Sequence, residues 1–122
     1  MKSNSDLAID RLLDEHVQLK RHLGELLNIG GIADQTPAEM GREDACELGK
    51  WIQGPGQAHL KLVAFSELKA CHLRVHQCAA QVASLALYGD KASSKALFQV
   101  HFNAHLRRCG QSLRNLDATL KG

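Results

Sequence analysis

Apolar residues recur along most of the chain at alternating intervals of three and four, the spacing of one face of an α-helix. In the first segment, which extends to Asn28, the repeating positions are Ile9, Leu12, His16, Leu19, Leu23 and Leu26. The string Ser3-Asn4-Ser5-Asp6 fits a capping box before this segment, and Gly30-Gly31 end it. Because His16 lies on the apolar face, we expect its side chain to point into the core.

Three further segments follow. The second, 36–53, opens on Thr36-Pro37-Ala38-Glu39, which provides an N-cap, a proline at the first helical position and an acid for a capping box, and it stops at Gly54-Pro55-Gly56. The third, about 58–88, is closed by Gly89, and the fourth begins at a predicted N-cap, Asp90. Four such helices joined by short loops predict an all-α fold, an antiparallel four-helix bundle with a short second helix.

The third and fourth segments each carry one continuous apolar face. On the third it comprises Phe65, Leu68, His72, Val75, Ala79, Val82 and Ala86. On the fourth it comprises Phe98, Phe102, Leu106, Cys109, Leu113, Leu116 and Leu120. His72 is therefore a second histidine predicted to be buried. We interpret residues 1–122 as a single domain, since the chain has the length of one domain and shows no internal repeat.

Composition narrows the classes of function. The formal net charge of +2 is too small to indicate binding to nucleic acid or to an anionic membrane. No apolar run approaches the ~20 residues of a membrane span, and the polar start does not indicate a signal peptide. These features predict a soluble, cytoplasmic protein, in which the 4 cysteines are expected to be thiols or metal ligands rather than disulfides.

The candidate chemistry lies in the histidines. His72 and His76 are four residues apart on one predicted helix, so both imidazoles can reach one ion. That spacing alone is a weak signal, but His16 and His72 both lie on buried faces, and buried polar groups need partners. A shared metal ion is one solution. The alternative is that each imidazole finds a hydroxyl, a carbonyl or a water molecule.

Cys46 is the candidate fourth ligand. It begins the string Cys46-Glu47-Leu48-Gly49-Lys50-Trp51, which has the form Cys-x-Leu-Gly-x-Trp and is predicted to lie in the middle of the second helix. A glycine there costs helix stability, so we expect close approach of neighbouring backbone to require it. This string, with a histidine upstream and His-x-x-x-His downstream, resembles the chemoreceptor zinc-binding (CZB) domain family.

The resemblance implies a site as well as a fold. Members of this family are bacterial cytoplasmic helical bundles that hold zinc with three histidines and one cysteine. Carried over to this chain, the zinc ligands are His16, Cys46, His72 and His76. It leaves open whether Asp14 or Glu15 orients the His16 ring. For Trp51 we expect a place beside the metal, where it would exclude water, and the alternative is a place in the core.

The chemistry of such a site favours regulation over catalysis. Three imidazoles and one thiolate suit Zn²⁺, and four protein ligands leave no position for a substrate water molecule, so the protein is not expected to be an enzyme. A zinc-bound thiolate can still be oxidised to a sulfenic acid, which removes a ligand. The resemblance implies signal transduction, such as chemotaxis, with a chemoreceptor or diguanylate cyclase partner and zinc or redox sensing. It also implies a homodimer, for which the face around Ala79, Ala80, Ala83 and Ala86 is a candidate contact.

Two other readings remain at this stage. One is a hemerythrin-like di-iron bundle that binds oxygen, supported by four helices, by Glu67 as a bridging carboxylate and by a second pair, His101 and His105. Against it, the second segment supplies a cysteine and no histidine. The other is a helical interaction module without metal.

The remaining histidines and cysteines are expected to be structural. We predict His22 and His59 at the surface, and His101 and His105 at the surface or at the edge of the core. Small buried or boundary thiols are predicted for Cys71, Cys78 and Cys109.

Overall fold

The described residues, 8–29 and 36–122 of the computed structural model, form helices and no strands. In chain order the elements are α1 (Ile9–Ile29), α2 (Pro37–Met40), α3 (Glu47–Gln53), a 3₁₀ helix (Pro55–His59), α4 (Val63–Tyr88), α5 (Lys91–Ala96), a π-helix (Leu97–Phe102) and α6 (Asn103–Lys121). The predicted all-α class is confirmed. The capping box predicted at Ser3-Asn4-Ser5-Asp6 and the stop at Gly30-Gly31 lie outside the described residues.

The predicted apolar faces form the core. On α4 every predicted position is buried, and on α1 the residues Leu12, His16, Leu23 and Leu26 are buried. α4 is the central element, since it contacts α1, α2, α5 and α6. Both histidines predicted to be buried therefore reach the interior from different helices.

The second segment is not the single helix that the sequence predicts. The capping box is present: the Glu39 N–H donates to Thr36 Oγ1 at 3.1 Å, and the Thr36 N–H donates to the Glu39 carboxylate at 2.8 Å. However, α2 ends after one turn, where Gly41 is its C-cap, and a turn over 41–46 separates it from α3. Cys46 is consequently the N-cap of α3 rather than a residue in mid-helix. The break frees the Met40 carbonyl from the helical pattern.

The later boundaries differ less from the prediction. A 3₁₀ helix follows Gly54, so α4 begins at Val63 rather than near Ala58. Asp90 is the N-cap of α5, as predicted, and accepts a hydrogen bond from the Ala92 N–H at 3.1 Å. The helix that follows continues to Lys121 through one π-helical stretch, which the sequence pattern did not predict.

The alanine face of α4 is already used within the chain. Ala79, Ala83 and Ala86 are buried in the core, and Gly41 approaches Ala80 so closely that a Cβ on Gly41 would lie 3.0 Å from the Ala80 Cβ. The interpretation of this face as a free dimer contact is therefore wrong. None of the described helices combines the length and apolar character that crossing a bilayer requires.

Candidate metal centre

Four side chains from three elements converge in the interior. They are His16 of α1, Cys46 at the start of α3, and His72 and His76 of α4, and one ligand atom of each lies within 4.8 Å of all the others. The three histidines are at most 5% exposed, while Cys46 is half-buried. Within residues 8–29 and 36–122, no other group of three or more potential ligands is gathered in this way.

Backbone carbonyls orient two of the imidazoles. His16 Nδ1 lies 2.9 Å from the Leu12 carbonyl oxygen, and His76 Nδ1 lies 2.9 Å from the Met40 carbonyl oxygen. Because a carbonyl only accepts hydrogen bonds, Nδ1 carries the proton in both rings and Nε2 keeps its lone pair. This is the arrangement by which metal-binding histidines are fixed in proteins.

The Cys46 sulfur faces the histidines at ligand-like spacing. Sγ lies 3.1 Å from His72 Nε2 and 3.9 Å from His16 Nε2. Tetrahedral zinc, with bonds of about 2.0–2.1 Å to nitrogen and about 2.3 Å to sulfur, would place sulfur and nitrogen about 3.6 Å apart. The two distances lie on either side of that value. Sγ also accepts a hydrogen bond from the Gly49 N–H at 3.3 Å, since Cys46 caps α3.

One buried nitrogen in this group has no partner. His76 Nε2 is inaccessible to solvent and forms no hydrogen bond, although its ring is oriented through Nδ1. Leaving a polar atom unsatisfied in this way costs about 1–3 kcal/mol. A metal ion among the four side chains would use the lone pair of this nitrogen. The residues present therefore fit a tetrahedral metal ion.

Burial disfavours the charged forms of all four side chains. It lowers the pKa of His72 to about 2, with smaller contributions from the neighbouring His76 and His16. Burial also lowers the pKa of His16 and of His76, in each case against a hydrogen bond to a backbone carbonyl that raises it. It raises the pKa of Cys46 to about 11, opposed by the hydrogen bond from the Gly49 N–H. The imidazoles are thus neutral, as ligands must be, and the thiol would release its proton on binding a cation.

Glu15 connects α1 to α3 next to the site. Its two carboxylate oxygens lie 3.0 and 3.2 Å from the Glu47 backbone nitrogen and accept its hydrogen bond. The Leu12 carbonyl orients the His16 ring, so neither Asp14 nor Glu15 is the group that orients it. Glu15 instead fixes the first turn of α3, which Cys46 caps.

Gly49 allows the turn before α3 to approach the helix. A Cβ at this position would lie 1.7 Å from the Glu43 carbonyl oxygen and 3.0 Å from the Asp44 Cα. The expectation that close backbone approach requires this glycine is therefore confirmed. The turn that it accommodates, over residues 43–46, sets the position of the Cys46 sulfur.

Trp51 takes a different place from the one predicted. Its ring contacts Phe65, stacks on His59 with ring centroids 6.0 Å apart, and lies against Gly56. We therefore assign Trp51 to the core at the end of α3, the alternative that the sequence left open, rather than to the surroundings of the four-residue cluster. The prediction that His59 is a surface residue is also only partly right, since its ring is half-buried against this indole.

A groove of about 220 Å³ leads from solvent to the cluster. His16, Cys46 and His76 line its inner end, and Glu39 and Arg42 are among the residues that line the rest. The site is thus buried on the α4 side and reachable from the α1–α2 side.

The other candidates lie outside the cluster. His22 and His101 are exposed and His105 is half-buried, as predicted. Cys71 is half-buried, and Cys78 and Cys109 are buried, which confirms them as boundary or core thiols. Glu67 is exposed and does not belong to the cluster, which contains no carboxylate. The described residues therefore give no support to a di-iron centre.

Comparison with known proteins identifies one family. A family model described as the chemoreceptor zinc-binding domain (CZB) matches residues 16–83, more than half of the 122-residue chain. CZB is a zinc-binding domain, and the matched stretch contains all four residues of the cluster, which can hold a metal ion. No curated protein and no solved structure matches the chain. The resemblance found in the sequence is thereby confirmed.

Proposed function

Because the chain belongs to the chemoreceptor zinc-binding domain family, we propose that it is a zinc-binding regulatory domain of bacterial signal transduction. In this proposal His16, Cys46, His72 and His76 hold one Zn²⁺. The observation that carries this proposal is the buried His76 Nε2, which has no hydrogen-bond partner. Three further potential ligand atoms, one each from His16, Cys46 and His72, are clustered with the His76 ring. With these four ligands, a bound Zn²⁺ would link α1, α4 and the start of α3 and so stabilise the folded chain.

The ligand set supports a regulatory role rather than catalysis. Four protein ligands complete a tetrahedral zinc site, and catalytic zinc sites keep a position for water or substrate. One thiolate and three neutral imidazoles leave a single positive charge on the site. We therefore propose that the protein is not an enzyme.

We further propose that oxidation of Cys46 or loss of zinc changes the output of a signalling partner. Cys46 is the half-buried member of the cluster, and it lines the solvent-connected groove. An oxidant such as hydrogen peroxide or hypochlorous acid would convert the thiolate to a sulfenic acid and remove one zinc ligand. Since Cys46 caps α3, its loss from the site would release that helix.

The assembly is also proposed from family and contacts. We infer a single cytoplasmic domain over residues 1–122 that forms a homodimer and acts on a chemoreceptor or diguanylate cyclase partner. We also propose that its four segments form an antiparallel bundle. Gly24 of α1 lies near Phe98 of the π-helix, and Gly110 of α6 lies near Leu13 of α1. This order of contacts supports opposite directions for α1 and for the helix that continues from the π-helix into α6.

X-ray absorption at the zinc edge tests the proposed ligands. We expect about three nitrogens at about 2.0–2.1 Å and one sulfur at about 2.3 Å in the zinc-loaded protein. A coordination shell without sulfur, or with two sulfurs, would contradict the ligand set.

A zinc-release assay tests the regulation. One equivalent of oxidant should release zinc to a chromophoric chelator, and a sulfenic-acid trap should label Cys46. The matched control is Cys71→Ala, because Cys71 precedes His72 but does not belong to the cluster. Release that depends on Cys71, or that leaves Cys46 unmodified, would refute the redox part of the proposal.

A further inference from the structure

A second groove lies between α1 and α6, and His16 is the one member of the four-residue cluster that also lines it. Its volume is about 360 Å³, within the range of small-molecule sites. Leu13 and Val17 line it from α1, and Leu106 and Leu113 line it from α6. Val17 is 54% exposed, so apolar surface in this groove is left uncovered by the chain.

The charges of this groove are of one sign. Arg107 and Arg114 are the charged residues of its lining, and no acidic residue is among them. In the described part of the chain neither arginine forms an ion pair with a carboxylate. Seven residues apart on α6, they lie about 10 Å from each other along the helix axis and on one face.

Arg114 extends back over the groove floor. Its Nη1 atom lies 3.7 Å from the position that a Cβ on Gly110 would occupy. Gly110 itself is buried and lacks a side chain that would fill the space between Leu13 and the arginine. The Arg114 guanidinium therefore borders the apolar surface, and Arg107 lines the groove two turns earlier on α6.

We propose that this α1–α6 groove binds a small amphipathic organic anion, a carboxylate with an apolar tail. The leucine and valine side chains would bury the tail, and removal of apolar surface from water supplies the main driving force. One of the two guanidinium groups would pair with the carboxylate in the geometry that arginine favours. These contacts are made by leucine, valine and arginine side chains and not by His16, which also lines the groove, so the proposal does not depend on zinc binding at His16.

Decanoate is the probe, titrated below its micelle-forming concentration into the full chain. We expect saturable binding by calorimetry, with amide shifts in nitrogen–proton correlation spectra concentrated at residues 13–17 and 106–114. Decyltrimethylammonium, with the same tail and the opposite charge, should bind at least tenfold more weakly. Equal binding of the two amphiphiles, or no saturable binding, would overturn the proposal.

Paired variants separate the groove from general surface charge. The double variant Arg107→Gln/Arg114→Gln should weaken decanoate binding at least tenfold. The control Arg74→Gln/Arg108→Gln removes the same charge from exposed residues that do not line the groove, and should change it less than twofold. Equal losses in both would refute the site.

A second copy of the chain is the competing occupant, and sedimentation distinguishes it. If the groove is a dimer interface, Val17→Asp will convert a dimer to a monomer and wild-type protein will not bind decanoate. That combination would overturn the proposal. If the groove binds the anion, Val17→Asp will abolish decanoate binding without changing the sedimenting mass.

Discussion

The substitution Gly49→Ala tests how the backbone positions the Cys46 sulfur. The new Cβ would lie 1.7 Å from the Glu43 carbonyl oxygen, against the 3.0 Å that real Cβ contacts require. The backbone at 43–44 or the first turn of α3 must therefore move by about 1.3 Å, the difference between these two distances. The atoms that must yield belong to the backbone, so no side-chain rotation can relieve the contact.

We expect Gly49→Ala to lower the free energy of unfolding by a large amount for one added methyl group. Overpacking costs typically about 1–3 kcal/mol, and a backbone clash of this depth belongs at the upper end or above it. For a chain of this length, about 3 kcal/mol corresponds to a fall in Tm of about 10 °C. The displacement also acts on Cys46, whose sulfur lies 3.3 Å from the Gly49 nitrogen. Disturbing a group that supports a ligand typically lowers metal affinity about 10–100-fold.

Thermal unfolding by circular dichroism and zinc competition with a chromophoric chelator measure both effects. The matched control is Gly24→Ala, also within a helix, where the nearest heavy atom to the new Cβ is 3.9 Å away. For Gly24→Ala we expect the free energy of unfolding to rise by about 0.5–1 kcal/mol, because alanine has a higher helix propensity than glycine. A Gly49→Ala protein with wild-type Tm and zinc affinity would refute the reasoning.

Two further predictions concern the supports of the site. In Glu15→Gln the Glu47 N–H keeps only a weaker, uncharged acceptor. We therefore expect the free energy of unfolding to fall by about 1 kcal/mol and zinc release to a chelator to become faster. The control Asp14→Asn should change neither the free energy of unfolding nor the rate of zinc release. Burial lowers the pKa of His72, His16 and His76 below the ordinary value of 6.5. In metal-free protein, the stability that these neutral imidazoles contribute is therefore fully present above pH 6.5 and is lost as the pH falls below it. The free energy of unfolding should fall by at most about 1.4 kcal/mol per pH unit for each imidazole. Urea unfolding at pH 7.5, 6.5 and 5.5 measures this, and a stability unchanged between pH 6.5 and 5.5 would contradict it.

The sequence predicted the helices that carry continuous apolar faces. On α1 and α4 the three-and-four spacing placed His16 and His72 in the core, where the structure has them at 5% and 1% exposure. These faces are strong signals because burial of a whole helix side determines which way the helix faces. His76 was named by its spacing from His72, and it too is buried.

Residues 36–53 show where the pattern failed. The segment has no proline between positions 38 and 53, and the prediction carried the helix through Gly41, which the structure shows to be the C-cap of α2. The break is important for the candidate site. It makes Cys46 an N-cap and leaves the Met40 carbonyl available to orient His76. Backbone carbonyls carry no sequence signal, so the partners of His16 and His76 were not predictable from residue types.

The contacts of Trp51 and Glu15 were not predictable from the sequence for a related reason. Glu15 directly precedes His16 and Trp51 belongs to the same short string as Cys46, yet Trp51 packs on Phe65 and Glu15 reaches across to the Glu47 N–H. Proximity along the chain does not specify which neighbouring element a side chain contacts. Such contacts depend on how α3 is placed against α1 and α4.

The central claim is that three histidines and Cys46 bind one zinc ion, and metal content tests it most directly. Protein purified without added metal and without an oligohistidine tag is analysed by inductively coupled plasma mass spectrometry, beside Cys46→Ala, His76→Ala and the control Cys71→Ala. The account predicts about one zinc per chain in wild type and in Cys71→Ala, with reduced or easily chelated zinc in the two ligand variants. About two irons per chain, or zinc retained equally in all four proteins, would contradict it.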